Sequence, residues 1–189
     1  MAIELEDIRT LFETYGPRSY GSEAVTQLEH ALQSAYLGEQ EGASKELVVA
    51  AFLHDLGHML GSNKGRDADA TRKNDDLHQF VALPFLRPVF PGAVVEPIGL
   101  HVEAKRCLCA IDPSYHAGLS PQSVRSLEQQ GGIHTPEQAA EFQQKPFAAD
   151  ALRLRRWDDL AKVPGASTPP FEHYFSMVSE LYGRQSSVA

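Results

Sequence analysis

The sequence predicts an all-α protein, a single compact helical bundle, and two features predict it. Apolar residues recur at helical intervals in one segment after another, with Ser, Thr, Gly and Pro punctuating the ends. No β-hairpin signal, internal repeat or dividing linker interrupts them. A chain of 189 residues is long enough for one substantial core. About seven to nine helices are expected. The domain is taken to span residues 1–189, with a core at about 20–160, a last helix at 171–183 and a frayed tail at 184–189.

Ile3, Ile8, Leu11 and Phe12 set a first helix over 3–14, stopped by Gly16-Pro17. After a short loop, Arg18 to Gly21, a second helix is expected with Ser22 as N-cap. It carries Val25, Leu28, Leu32, Ala35 and Tyr36 on one face and ends at Gly42. His30 projects roughly opposite that face. It is either a surface histidine or a residue lining a polar cavity. Ser44 caps a third helix over 45–60, in which Leu47 to Leu53 are apolar on every side and so buried all round. Residues 61–75 are polar and aperiodic, which fits either a solvated connection or a lid or binding loop.

A short helix with His78, Phe80, Val81, Leu83 and Phe85 follows, disturbed near Pro84 and stopped by Pro88 and Pro91-Gly92. The segment Ala93 to Ala110 comes next, with Pro97 expected in its first turn and Asp112-Pro113 at its end. Ser120-Pro121 opens a helix running to Gln130, before Gly131-Gly132. Thr135-Pro136-Glu137-Gln138 is a capping box for another. Residues 147–162 place Leu152, Trp157 and Leu160 on or near one side of a helix, and Phe171 to Tyr182 form the last amphipathic one.

The net charge of −8 argues against general nucleic-acid binding but not against a small anionic ligand, which needs only a local basic pocket. No apolar run reaches membrane-spanning length, and the acidic start, Met1 to Asp7, lacks a signal-peptide core. A cytoplasmic protein without a membrane partner is expected. Cys107 and Cys109 are one residue apart, which is neither a zinc nor a disulfide spacing, so both are expected as reduced thiols.

The chemistry is concentrated in Leu53-His54-Asp55-Leu56-Gly57-His58. An ionised carboxylate continuing a buried helix costs on the order of several kcal/mol unless something positive compensates it. A metal ion is the direct compensation, since imidazole and carboxylate both ligate divalent and trivalent ions. His58 lies one turn after His54, on the same helix face. The other use of such a pair is a helix end whose His and Asp bond neighbouring backbone. Further candidate ligands are His30, His78, His101 and Asp158, so that the set comes from five helical segments. Four His and two Asp accept several metals, and spacing does not choose among them.

The order His30, His54-Asp55, Asp158 resembles the HD-domain superfamily of metal-dependent, all-helical proteins, and His78 with His101 resembles its two-metal subgroup. The stretches Tyr20 to His30, Ala50 to His58, His101 to Arg106, Leu127 to Gly132 and Arg155 to Asp158 are similar to the mixed-valence diiron oxygenases of phosphonate catabolism. The resemblance runs from about Tyr20 to Asp158 and is weaker around Glu172 to Tyr174. It departs at residues 61–76.

The resemblance implies one iron on His30, His54, Asp55 and Asp158, and a second on His78, His101 and a shared, bridging Asp55. The pair would be Fe(II)/Fe(III), with O2 as co-substrate. Tyr20 would occupy an iron position until substrate displaces it, beside Glu23, which would meet the substrate's nitrogen end. Tyr20, Glu23, His58 and Lys105 form the implied catalytic set. Tyr20, Glu23, His58, Lys105, Ser123, Ser126, Gln130 and Arg155 form the implied substrate site. Lys105 lies one turn after His101 and Arg155 three residues before Asp158, so both are placed to face the metals. An Arg fork and a Lys charge suit a phosphonate. Arg106, Arg153 and Arg156 are left as surface or supporting residues.

The implied reaction is oxidative cleavage of the C–P bond of a 1-hydroxy-2-aminoethyl-type phosphonate, releasing phosphate. The amine would be free, or trimethylated with glycine betaine as product. The alternatives from the same ligands are an HD-type phosphohydrolase using Mg, Mn or Zn without O2, and a metal-stabilised helical regulatory module with no turnover.

Overall fold

The computed structural model describes residues 2–62 and 78–184. Its elements are α1 (Leu5–Tyr15), α2 (Gln27–Gln40), α3 (Lys45–Leu53), α4 (Leu56–Ser62), α5 (His78–Leu86), α6 (Gly92–Ile111), α7 (Pro113–Ala117), α8 (Pro121–Gln129), α9 (Pro136–Gln143), α10 (Ala148–Leu160) and α11 (Phe171–Leu181). Among the described residues there is no β-strand, only an isolated bridge between Ser19 and Thr26. The fold is all-α, as the apolar periodicity requires. It has more helical segments than expected, because the helix predicted over 45–60 is two and because α7 is a short separate turn.

α3 is the centre of the bundle. Leu47 to Leu53 are all buried because α3 packs against α2, α6, α10 and α11. Phe52 stacks on Phe12 of α1, with ring centroids 4.7 Å apart, and on Tyr174 of α11 at 5.8 Å. Ile8 and Leu11 of α1, and Phe175, Val178 and Leu181 of α11, join the same core. Each such side chain contributes about 1.5–3 kcal/mol of transfer free energy. This apolar mass holds one end of α3 rigid and delivers His54 and Asp55 at the other.

Several helix ends form as the sequence indicates. Ser44, Ser120 and Thr135 accept the predicted N-terminal N–H bonds, and Thr135 and Gln138 complete both arms of their capping box. Three ends differ. Ser22 is not the N-cap of α2; Thr26 is, in a capping box with Glu29, whose carboxylate accepts from the Thr26 N–H at 2.7 Å. The reciprocal pair satisfies two orphan donors where Ser22 could satisfy one. α6 begins at Gly92, so Pro97 lies inside the helix rather than in its first turn. Leu160 is 62% exposed; the apolar side of α10 is Ala151, Leu154 and Trp157.

α3 and α4 part at His54-Asp55. His54 Nδ1 donates to the Ala51 carbonyl at 2.8 Å, which gives that carbonyl a side-chain partner. Gly57 then lies so close to α5 that a Cβ there would stand 1.9 Å from the His78 carbonyl oxygen. Only glycine allows this approach, and the approach brings His78 to Asp55.

The predicted loop at 61–75 is α4 at its start and otherwise lies outside the described residues. Cys107 and Cys109 are free and buried. No described helix is long and apolar enough to cross a membrane.

Candidate metal centre

Asp55 has one carboxylate oxygen for each of two histidine groups. Its Oδ2 lies 3.4 Å from His54 Nε2 and 3.6 Å from His30 Nε2. Its Oδ1 lies 3.1 Å from His78 Nε2 and 3.9 Å from His101 Nε2. Asp158 completes the first group, with Oδ1 3.4 Å from His30 Nε2 and Oδ2 3.6 Å from His54 Nε2. All six predicted ligands are buried and share one cluster. His30, ambiguous by periodicity, is fully buried because α10 packs over α2.

The ring orientations are set from behind. Nδ1 of His30 donates to the Ala161 carbonyl at 2.9 Å, that of His54 to Ala51, and that of His101 to Ile98 at 2.7 Å. Each bond fixes the tautomer and turns the Nε2 lone pair inward, the usual preparation of a metal-ligating imidazole. The inward nitrogens nearly touch: His30 and His54 Nε2 are 3.3 Å apart, His78 and His101 Nε2 3.0 Å.

The donor set fits metal ions. Asp55 Oδ2 and Asp158 Oδ1 are buried with no hydrogen-bond partner among the described residues. A buried orphan carboxylate oxygen is costly unless a cation satisfies it. Two groups have ligand atoms all within 4.8 Å of one another: His30, His54 and Asp55, and Asp55, His58 and His78. His58 therefore stands at ligand distance in the second group. Its Nε2 is 3.8 Å from Asp55 Oδ1 and its ring stacks on His78 at 4.0 Å.

The electrostatics agree. Burial pushes the His54 imidazole down, but Asp55 and Asp158 outweigh it and hold its pKa up to about 10. Against the opposing effect of burial, His54 and His58 hold the Asp55 carboxyl well below its usual range. For Asp158, Arg155 and His54 do the same. Without metal, this spot favours a proton on imidazole, and metal ligation requires that proton to leave.

Beside the ligands lies a cavity of about 140 Å³. Of the predicted substrate residues, Tyr20, His58, Lys105, Ser123, Ser126, Gln130 and Arg155 line it. Lys105 is buried and donates to Ser126 Oγ at 2.7 Å. Burial, then Arg155, lowers its pKa to about 7. Arg155 does not present a free fork: Nε and Nη2 donate to Asp159 at 2.8 and 2.6 Å, and Nη1 to Asp158 Oδ2 at 2.7 Å.

Tyr20 stacks on His30, with centroids 3.9 Å apart and rings 12° from parallel. Its loop is closed by Tyr20 N–H to Val25 and Gln27 N–H to Arg18, both 2.9 Å. Gly21 turns at φ +56°, where a Cβ would strike Gln122. Glu23 is not in the cavity wall. It accepts from Ser120 Oγ at 2.7 Å and pairs with Lys162 Nζ at 3.2 Å.

The site also holds residues the sequence reading passed over. Lys162 and Gln122 line the cavity, and Asp159 and Tyr115 anchor Arg155. Lys162 follows Asp158 by four positions and Arg155 by seven, so the face shared by those two pointed to it. Arg106, taken as a surface or supporting residue, donates to the carbonyls of Gly132 and Gly131 at 2.8 and 3.1 Å and holds the turn after Gln130.

An all-helical bundle with imidazole pairs on either side of one carboxylate is consistent with an HD-type bundle and has the donors to hold a metal. No family model matches the chain. It is 45% identical over 92% of its length to hydroxymethylphosphonate dioxygenase of Gimesia maris, covering 87% of that protein. It is 35% identical over 94% of its length to the glycine-betaine-forming [1-hydroxy-2-(trimethylamino)ethyl]phosphonate dioxygenase of Leisingera caerulea, covering 89% of it. An uncharacterized protein of Acanthamoeba polyphaga mimivirus is 34% identical over 95% of the chain, 82% of that protein. The chain belongs to the family of phosphonate dioxygenases. It is an oxygenase, and its His and Asp groups are suited to the metal that such chemistry uses.

Proposed function

We propose that this protein is a diiron oxygenase that cleaves the C–P bond of a 1-hydroxyphosphonate. The observation that carries the reading is Asp55, with one oxygen toward His30 and His54 and the other toward His78 and His101. A carboxylate so shared supports two ions held close together. We assign one iron to His30, His54, Asp55 and Asp158, the other to His78, His101 and Asp55, in the Fe(II)/Fe(III) state. The substrate class follows the relatives, whose names share a carbon bearing both hydroxyl and phosphonate.

The metals, when bound, supply activation of O2 and Lewis acidity. The chain's own side chains do the rest. Lys105 binds the phosphonate as a point charge held in place by Ser126. Arg155 adds positive field from its fixed seat on Asp158 and Asp159, with no reorganisation needed when charge moves. Gln130 Oε1, buried and without a partner among the described residues, accepts from the C1 hydroxyl. Tyr20 covers the first metal group from its seat on His30, and burial followed by Asp158 and Asp55 raises its phenol pKa until a cation intervenes. The C1–H and C–P bonds break, and their four electrons reduce O2. One oxygen atom forms the new C–O bond of a carboxylic acid and the other the new P–O bond of phosphate, and both products leave. The buried free thiols suit a reducing compartment, and the cytoplasm is the proposed location.

The test is phosphate release from hydroxymethylphosphonate by iron-loaded protein under air and under nitrogen. Release is expected under air alone. Equal release without O2 would overturn the oxygenase reading in favour of a phosphohydrolase using the same ligands.

A further inference from the structure

The cavity wall is unevenly charged, and the imbalance bears on what can sit beside the phosphonate. Among the described residues its cations are Lys105, Arg155 and Lys162, whereas its carboxylates are Asp55 and Asp158, both candidate metal ligands. Glu23, the carboxylate expected to meet a substrate ammonium, is not among the lining residues and is held behind Lys162 at 3.2 Å and by Ser120 at 2.7 Å. Lys162 is itself fixed: it donates to Ser123 Oγ at 2.9 Å and lies 3.6 Å from Asp159 Oδ1. Its side chain is 13% exposed and that of Glu23 16%, so solvent screens the pair only in part.

A quaternary ammonium is held by aromatic faces and carboxylates. Tyr20 is the one phenyl-type ring in the wall among the described residues, and His30 covers a face of it at 3.9 Å. What the wall does offer is neutral acceptors, Gln27 Oε1 and Gln130 Oε1, buried and without partners among the described residues. These suit a hydroxyl and cannot neutralise a cation. A cavity of about 140 Å³ is of the size that takes a single benzene.

We propose that Lys162 is a specificity-determining residue: by neutralising Glu23 and facing the cavity, it selects hydroxyphosphonates whose C1 substituent is small and carries no positive charge. Hydroxymethylphosphonate meets that description, and 2-amino and 2-trimethylamino ethyl analogues do not. The inference rests on the hydroxyphosphonate reading above and names the substrate within it. Under it, the amine-bearing substrates expected from the sequence bind more weakly than hydroxymethylphosphonate.

Binding separates the two levels, because it can be read where turnover fails. Iron-loaded protein is titrated calorimetrically, without O2, with hydroxymethylphosphonate and with its 2-amino and 2-trimethylamino ethyl analogues. Aerobic phosphate release is measured in parallel. Hydroxymethylphosphonate, which lacks the ammonium, should bind at least about tenfold more tightly, the effect of one like charge in a partly screened pocket. Lys162→Gln should move the ratio of affinities toward the amines by about tenfold or more, and Lys162→Arg should restore the parent ratio. A role as a mere latch on the Glu23 loop would weaken all three ligands together and leave the ratio alone. That result, in a variant retaining its metal and its cooperative melting, overturns the proposal, as does equal binding of the amines by the parent. Selective binding with no phosphate release under air would leave the selectivity standing and defeat the oxygenase reading instead.

Discussion

Asp55 and Asp159 are carboxylates with side chains 9% and 11% exposed, one in the cavity wall and one bonded to Arg155 of that wall, and the bundle treats them in opposite ways. Asp159 is saturated: Arg155 donates to each of its oxygens, at 2.8 and 2.6 Å, Ser123 donates at 3.0 Å, and Tyr115 adds its hydroxyl. Asp55 is surrounded by imidazoles at 3.1 to 3.9 Å, and its Oδ2 is left without a hydrogen bond among the described residues. The first arrangement is finished by the protein and serves to hold Arg155. The second is finished only by a cation. Orphaned valence among side chains that are otherwise locked by backbone bonds distinguishes a binding centre from a structural ion pair.

The two carboxylates should therefore answer to different measurements. Asp55→Ala should lose both metal ions, read as iron per chain, and take O2-dependent phosphate release to background. Its metal-free melting temperature should fall less than that of an Arg155 variant, since Asp55 Oδ2 has no hydrogen bond to lose among the described residues and Asp158 still faces His54. Two irons retained per chain would break the comparison at its centre. Arg155→Met should do the reverse in the metal-free protein. It strands Asp158 and Asp159 in the interior, at a cost of about 3–5 kcal/mol, or a melting temperature lower by roughly 6–20 °C. A metal-free protein that melts as the parent does would show that the satisfied cluster carries no stability.

The smallest effect is a pH dependence. Lys105 is buried, and Arg155 and Lys162 press its pKa down to about 7 while Asp159 and Asp158 oppose them. The group is a cation below that value and neutral above it. Affinity for hydroxymethylphosphonate should thus weaken as pH rises above about 7, by up to about tenfold per unit. Lys105→Met should lack that component, and the difference between the two profiles removes the titration of the ligand itself. Parallel profiles would take Lys105 out of phosphonate binding.

The helix punctuation was legible because it is local. Ser44, Ser120 and Thr135 cap the helices that follow them whatever those helices pack against. Where two local signals compete, as Ser22 does with the Thr26 and Glu29 pair, the reciprocal pair forms the cap. His30 could not be placed by period alone. Its position opposite the apolar face of α2 is interior because α10 covers it, bringing Ala161 to its Nδ1. Leu160 shows the mirror case: none of the described residues covers its side of α10, so an apolar residue there stays exposed.

By itself the sequence determined the inventory: a helical chain, a buried α3 that must end in His54-Asp55, and six donors whose types admit a metal. These follow from period, capping and the cost of a buried charge, all properties of residues close together in the chain. The tertiary structure alone decided how those donors divide. Asp55 gives one oxygen to His54 and His30 and the other to His78 and His101 because α2, α5 and α6 converge on the break after α3. It alone decided that Glu23 is held by Lys162 and that the Arg155 fork is held by Asp159. Glu23 and Lys162 stand near opposite ends of the core sequence, and whether such charges meet depends on packing, which brings together groups that no local spacing relates.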